Sequence, residues 1–318
     1  MSHHFVEFKD VSFRYPDGTG ALKGVSFRVT HGESVGIVGA NGAGKSTLLL
    51  HMNGSILPSS GSVTIGDLIL DKSTRQEIRK KVGIIFQNAD DQLFMPTVQE
   101  DVAFGPLNLG MTPELVQERV TEALNAVNSL ALRDKPPHHL SGGQKSAVAI
   151  ASVLAMDPDI LVMDEPAANL DPRSRRTLID LLKGFVHTKI IASHDLDMVL
   201  DICSRCIVIR NGSVVADGPS EDILSDKALM EENNLELPLS LQRREPDAGG
   251  RAAGANEDRR SEKQVSDLVH GTRSPGHPHE QGHVHGRDHI HEHTHDDDHS
   301  ADVHTHAGQR KSRHKHSH

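Results

Sequence analysis

Four apolar runs, Ser34–Val38, Val82–Phe86, Ile160–Met163 and Lys189–Ala192, are continuous instead of alternating. Strands buried on both faces read this way, because neither face meets water. Between them lie helical patterns. Lys45–Asn53 reads as a helix opening directly after a glycine-rich turn, and Asp171-Pro172 supplies an N-cap and a first-position proline for another. Residues 5–87 and 158–235 thus alternate strand and helix patterns, which predicts an α/β core. The stretch 97–155 is helical throughout. Thr97–Phe104 is followed by a helix that Thr112-Pro113 caps and that runs to about Leu130. Ser141 then caps a helix from Gly142 to about Ala155. Asn211-Gly212 joins Cys206–Arg210 to Ser213–Asp217 as a tight hairpin.

The pattern breaks after residue 240. Residues 241–269 are charged and rich in glycine and alanine, the composition of a flexible linker. Residues 270–318 carry 15 of the chain's 23 histidines, and their only aliphatic residues are Val284, Ile290, Ala301, Val303 and Ala307. That is too little to bury a core, so this tail is predicted to be disordered without a ligand. Its histidines fall at i, i+2 spacing: His277 and His279, His283 and His285, then His289, His291, His293 and His295, with further sets at 304/306 and 314/316/318. An extended chain projects such imidazoles to one side at roughly 6–7 Å intervals. They are candidate ligands for Ni²⁺ or Co²⁺, although imidazole also suits Zn²⁺ and binds Cu²⁺ most tightly, so the tail alone does not choose the metal. A solvated tail with incidental metal affinity is the plainer reading; an appended purification tag fits less well, because the histidines are interleaved with other residues.

Charge and apolar run lengths then narrow the role. The net charge of −10 argues mildly against nucleic-acid partners. No apolar run approaches 18 residues and no signal-peptide pattern opens the chain, so any path through a membrane has to come from a partner. Cys203 and Cys206 form a C-x-x-C pair with no further ligands nearby, and read as half-buried thiols kept reduced.

The candidate chemistry sits at the ends of the apolar runs. Gly39–Thr47, GANGAGKST, fits G-x-x-x-x-G-K-[ST] and lies between a strand and a helix. In such a loop the backbone N–H groups of Gly39, Ala40, Asn41, Gly42, Ala43 and Gly44 cradle phosphates at a helix N-terminus. Lys45 reaches the β- and γ-phosphates, and Ser46, beside Thr47, ligates Mg²⁺. Asp164 and Glu165 close the third apolar run, the first as a candidate Mg²⁺ partner and the second as the base that polarises an attacking water. His194 follows the fourth run and could contact the γ-phosphate from the far side.

Taken together, residues 5 to about 235 resemble the ATP-binding subunit of ABC transporters. The resemblance rests on the phosphate loop, on LSGGQ at Leu140–Gln144, on Asp164-Glu165, on Ala168–Asp171 as the D-loop and on His194 as the switch histidine. It implies a P-loop NTPase (RecA-like) core with an antiparallel β subdomain and an inserted α-helical signature subdomain at about 88–157, within an ATP-binding domain at 1–240. It also implies that Tyr15 stacks on adenine and that Gln87 senses Mg²⁺ and contacts a membrane partner. Ser141, Gly142, Gly143 and Gln144 would close on the ATP of a second ATPase subunit, an identical or related chain. Two departures adjoin that interface: Ala147 where arginine is usual, and Pro166–Asn169 where Thr-Ala-Gly is commoner.

Phe86–Phe94, FQNADDQLF, resembles the F-Q-N-P-D-D-Q-L-F run of energy-coupling-factor ATPases, with Ala89 in place of proline and Gln92 in their short extra helix. The expectation is therefore a peripheral ATPase at the cytoplasmic face of the membrane, docked on integral membrane transport subunits that import nickel or cobalt. The same motor with zinc or a vitamin as cargo is the nearest alternative. A soluble ABC-type ATPase with a metal-storing tail is the more distant one.

Overall fold

The computed structural model describes residues 5–168 and 170–242. The linker from 243 and the histidine tail, including His277–His295, lie outside the described residues, as does Asn169. The chain opens with β1 (Val6–Arg14) and β2 (Gly20–Val29), continues through β3 (Ser34–Val38) and α1 (Lys45–Met52), and returns in β4 (Ser60–Ile65) and β5 (Leu68–Ile69). Next come α2 (Arg75–Lys81), β6 (Val82–Ile85), α3 (Val98–Asn108), α4 (Pro113–Ala126) and α5 (Gly142–Leu154). The second half holds β7 (Ile160–Asp164), α6 (Pro172–Gly184), β8 (Thr188–Ala192), α7 (Leu196–Ile202), β9 (Arg205–Arg210) and β10 (Ser213–Pro219). Three short helices follow: α8 (Ser220–Ser225), α9 (Lys227–Glu232) and α10 (Leu239–Gln242).

Two sheets result. One is antiparallel, in the order β2-β1-β4-β5; the other runs β10-β9-β3-β8-β7-β6 and is parallel except for the β9–β10 hairpin. The four apolar runs are its adjacent strands β3, β8, β7 and β6, and their continuity has a direct cause. Ile160 and Val162 of β7 pack towards the antiparallel sheet and α1, whereas Leu161 and Met163 pack towards the helices. Each side chain is 1% exposed or less. Parallel order also places the C-terminal ends of β3, β7 and β8 at one edge, where open α/β sheets bind ligands.

α3, α4 and α5 pack on one another. Two reciprocal capping boxes start this cluster, Thr97 with Glu100 at α3 and Ser141 with Gln144 at α5. Two helix ends differ from expectation. α3 runs past Phe104 to Asn108: at Gly105 the helix passes close to the Met156 side chain, whose Cγ and Sδ would lie 2.6 Å from an added β-carbon, and Pro106 removes one hydrogen bond near the helix end. α4 stops at Ala126, short of Leu130, because Asn128 takes a left-handed backbone (φ 54°) and turns the chain into a 3₁₀ turn at Leu130–Leu132. The two cysteines are fully buried, not half-buried, and burial pushes both thiols up to about 12.

Candidate functional site

β3 hands its end directly to the phosphate loop. Gly44 caps α1 with φ 111°, and a β-carbon there would sit 2.7 Å from the Ala21 carbonyl oxygen, so only glycine fits without a backbone shift. Lys45 is buried, and its Nζ donates to the Gly39 carbonyl at 2.7 Å and the Ala40 carbonyl at 3.4 Å. A phosphate entering the loop would compete with these carbonyls for the ammonium.

β7 delivers the two acids. Burial raises the Asp164 carboxyl above its usual range and the Glu165 charge adds to this, while Ser46 and Lys45 pull the other way. Glu165 is a non-glycine residue at φ 48°, fixed by its N–H donating to the Ala192 carbonyl at 2.8 Å. Its buried Oε2 accepts from Ser193 Oγ at 3.0 Å and the His194 N–H at 3.1 Å, and His194 Nδ1 lies 2.7 Å from it. The His194 ring, expected to face the γ-phosphate, thus rests on Glu165 with much of its surface exposed. Its partner in the turn, Asp195, caps α7 and forms a two-pronged pair with Arg175 of α6 at 2.5 and 2.8 Å.

These groups face one cavity of about 660 Å³. Tyr15, Gln87, Asp164, Glu165 and His194 line it with the phosphate loop. Tyr15 meets Thr47 Oγ1 through its hydroxyl at 2.9 Å and sets its ring edge-on to Phe13. Ala43 is the one loop residue absent from the wall. Its side chain is buried in the core beneath α1, its N–H donates to the Ala40 carbonyl, and its carbonyl accepts from Gly212. The Ser46 hydroxyl, Asp164 carboxylate and Gln87 amide offer only oxygen acceptors of the kind Mg²⁺ takes, so the residues fit that ion.

The phosphate-loop region matches a family model described as "ABC transporter" over residues 22–168. A Geobacter sulfurreducens protein assigned to the ABC transporter ATP-binding proteins is 58% identical over 242 residues, covering 76% of this chain and 97% of that one. The chain belongs to the ABC transporter ATP-binding family. The energy-coupling factor transporter ATP-binding protein EcfA of Methanocaldococcus jannaschii is 50% identical, over 74% of this chain and 86% of that protein. Among solved structures, CbiO1 of Clostridium perfringens, described as part of the ABC transporter complex CbiONQ, matches with a TM-score of 0.66 at 37% identity, over 77% of this chain and all of that one.

In this ABC ATPase the signature residues lie apart from the phosphate loop. Ser141, Gly143 and Gln144 line a separate cavity of about 610 Å³ between α5 and α6, not the phosphate-loop cavity. Gly142 opens α5 beside them. Ser141 Oγ and the Gln144 side chain are engaged with each other's backbone in the capping box, at 3.4 and 3.0 Å. Ala147 lines the same cavity, so the shortened side chain leaves open space beside the signature helix.

A third cavity, about 540 Å³, lies between the α2–β6 region and α3 with α5. Phe86, Phe94 and Phe104 line it, all at least partly exposed, and Phe94 stacks edge-on to Phe104. Gln92 crosses from this groove to α5, donating to the Ala149 carbonyl at 2.7 Å and Ser152 Oγ at 2.9 Å. Lys145 of α5 pairs with Asp90 at 2.6 Å. No helix among the described residues is long and apolar enough to cross a membrane, and no group of three or more His, Cys, Asp or Glu side chains among these residues is placed to hold a metal ion.

The sequence reading missed part of the main cavity. Thr19, Gly20 and Ala21 line it from the β1–β2 hairpin, and Asn234 and Leu235 line it from beyond α9. The first group could have been inferred from its place after Tyr15. The second carries no motif.

Proposed function

We propose that this chain is the ATP-hydrolysing subunit of an energy-coupling-factor importer for nickel or cobalt ions, at the cytoplasmic face of the membrane. The observation that carries the hydrolytic part is the Glu165 carboxylate, buried at the wall of the phosphate-loop cavity, oriented by two donors and in contact with the His194 ring. A fixed, desolvated carboxylate is suited to orient and polarise a water against the terminal phosphate. Lys45 exchanges the Gly39 carbonyl for phosphate oxygens, and Tyr15 holds the adenine. Mg²⁺, when bound, neutralises phosphate charge, and Ser46, Gln87 and Asp164 are the residues that would hold it. His194 keeps Glu165 aligned and is placed to meet the γ-phosphate when the site closes.

Closure needs a second ATPase subunit, because the Ser141–Gln144 helix start lines a cavity separate from that of its own chain's phosphate loop. The 540 Å³ groove with its exposed phenylalanines is the docking place for a segment of an integral membrane subunit. Gln92 and the Asp90–Lys145 pair link that groove to the signature helix, so movement at one is felt at the other.

The energy-coupling-factor assignment is supported by the Phe86–Phe94 run and by the EcfA and CbiO1 likenesses. The metal cargo is supported by the i, i+2 histidines of the tail, His277–His295 foremost. The test is uptake of Ni²⁺, Co²⁺ and Zn²⁺ by cells with and without this chain, with Glu165→Gln as the hydrolysis-deficient control. Uptake of Ni²⁺ or Co²⁺ that needs both the chain and Glu165 is the expected result. Uptake of Zn²⁺ alone, or of none of the three, would overturn the cargo. Titrating Ni²⁺ into the full chain and into a chain ending at Leu241 tests the tail. Affinity should vanish on truncation and weaken from pH 7.5 to 5.5, since imidazoles with pKa near about 6.5 must be neutral to ligate.

A further inference from the structure

We propose that Asn234 is a nucleotide-contacting residue, its side-chain amide hydrogen-bonding to ATP in the phosphate-loop cavity. This makes the segment beyond α9 one wall of the ATP site, and it rests on reading that cavity as the ATP site. Asn234 and Leu235 line the same 660 Å³ space as Tyr15 and Lys45.

The segment is held there by several bonds. Arg210, the last residue of β9, donates from Nη1 to the Glu232 carbonyl at 2.8 Å. The hairpin that Arg210 enters is tied to the loop in turn, since the Gly212 N–H donates to the Ala43 carbonyl at 2.9 Å. Buried Asn233 donates from Nδ2 to the Leu229 carbonyl, and the Leu235 N–H returns to the Met230 carbonyl, with Leu235 packed on the main core. Asn234 is therefore fixed in place by its neighbours while its own amide makes no hydrogen bond among the described residues.

An amide both donates and accepts. ATP offers phosphate oxygens, ribose hydroxyls and a base edge, any of which such a group can meet. The competing account is that Asn234 merely ends α9. Its backbone is left-handed (φ 56°), a C-terminal position that glycine fills at least as well.

The two accounts separate in a glycine substitution. Asn234→Gly keeps the left-handed turn and removes the amide. Asn128→Gly is a matched control, because Asn128 is another left-handed asparagine (φ 54°) at the end of a helix, and it lines the signature-side cavity instead. The experiment titrates a non-hydrolysable ATP analogue with Mg²⁺ into the full chain and each variant, and records their melting temperatures. A contact of ordinary strength predicts a Kd three- to tenfold weaker for Asn234→Gly, with Asn128→Gly within twofold of wild type and no variant melting lower. A Kd for Asn234→Gly within twofold of wild type would overturn the proposal and leave the ATP site standing. Failure of the wild-type chain to bind the analogue would overturn the site reading and this proposal with it.

Discussion

Gly143, the second glycine of the signature, has a packing role that can be measured without nucleotide. An added β-carbon would lie 2.4 Å from Ser174 Oγ and 2.9 Å from Ser174 Cβ. Ser174 is not free to retreat, because its hydroxyl donates to Asp171 Oδ2 at 2.6 Å and its N–H to Oδ1 at 3.1 Å, the bonds that cap α6. Gly143→Ala must therefore either force α5 from α6 or break the serine's side-chain bond. Overpacking costs about 1–3 kcal/mol and a lost hydrogen bond about 1 kcal/mol, offset by roughly 1 kcal/mol of helix propensity gained by alanine. The net expectation is a loss of up to about 2 kcal/mol, with a melting temperature lower by about 2–4 °C per kcal/mol in a domain of this size. Ser174→Gly removes both clashing atoms, and alone should cost about 1 kcal/mol through the lost bond. If contact is the cause, the two changes are not additive. The double variant should recover about 1–2 kcal/mol against the sum, read from urea midpoints of all four proteins. Additivity within about 0.3 kcal/mol would refute the clash.

Two other predictions follow from burial and charge. Cys203 and Cys206, whose thiols burial holds at about 12, should resist a thiol-specific colorimetric reagent at pH 8 in the folded chain and react fully in guanidinium; fast labelling of either in the native protein would contradict the packing. Asp195 feels burial, which raises its carboxyl, but the Arg175 hydrogen bonds and charge and the Met198 N–H outweigh it and leave the group lowered. A lowered folded-state value means stability present above the unfolded value near about 3.9 and lost as pH falls through the folded one. The stability gap between wild type and Asp195→Asn, about 1–2 kcal/mol at pH 7 for a partly buried pair, should therefore shrink between pH 5 and pH 3 in urea melts.

How much of this was legible depended on what each residue has to satisfy. The inner strands were plain because a strand covered on both faces tolerates no polar interruption, and Ile160–Met163 shows none. The phosphate loop was plain because a backbone that curls into a helix start leaves little choice at Gly44, and the capping boxes were plain because side chain and backbone must trade bonds at fixed spacing. The helix ends were less so. Gly105-Pro106 reads locally as a stop, yet the helix passes through it, with Gly105 set close against the Met156 side chain.

The site followed the same division. Asp164, Glu165 and His194 lie at strand ends that the parallel sheet must bring to one edge, so their meeting could be read from order alone. What order could not give was the pairing of His194 with Glu165, which depends on the turn through Ser193 and on the strained φ of Glu165. Asn234 is the extreme case. It reaches the cavity through an arginine to a carbonyl, a hairpin to the loop and a leucine in the core, contacts that span the fold and leave no local pattern. If Asn234 meets the nucleotide as proposed, the site has a phosphate end set by the loop and a wall beyond α9 that changes in sequence could reshape without touching Glu165.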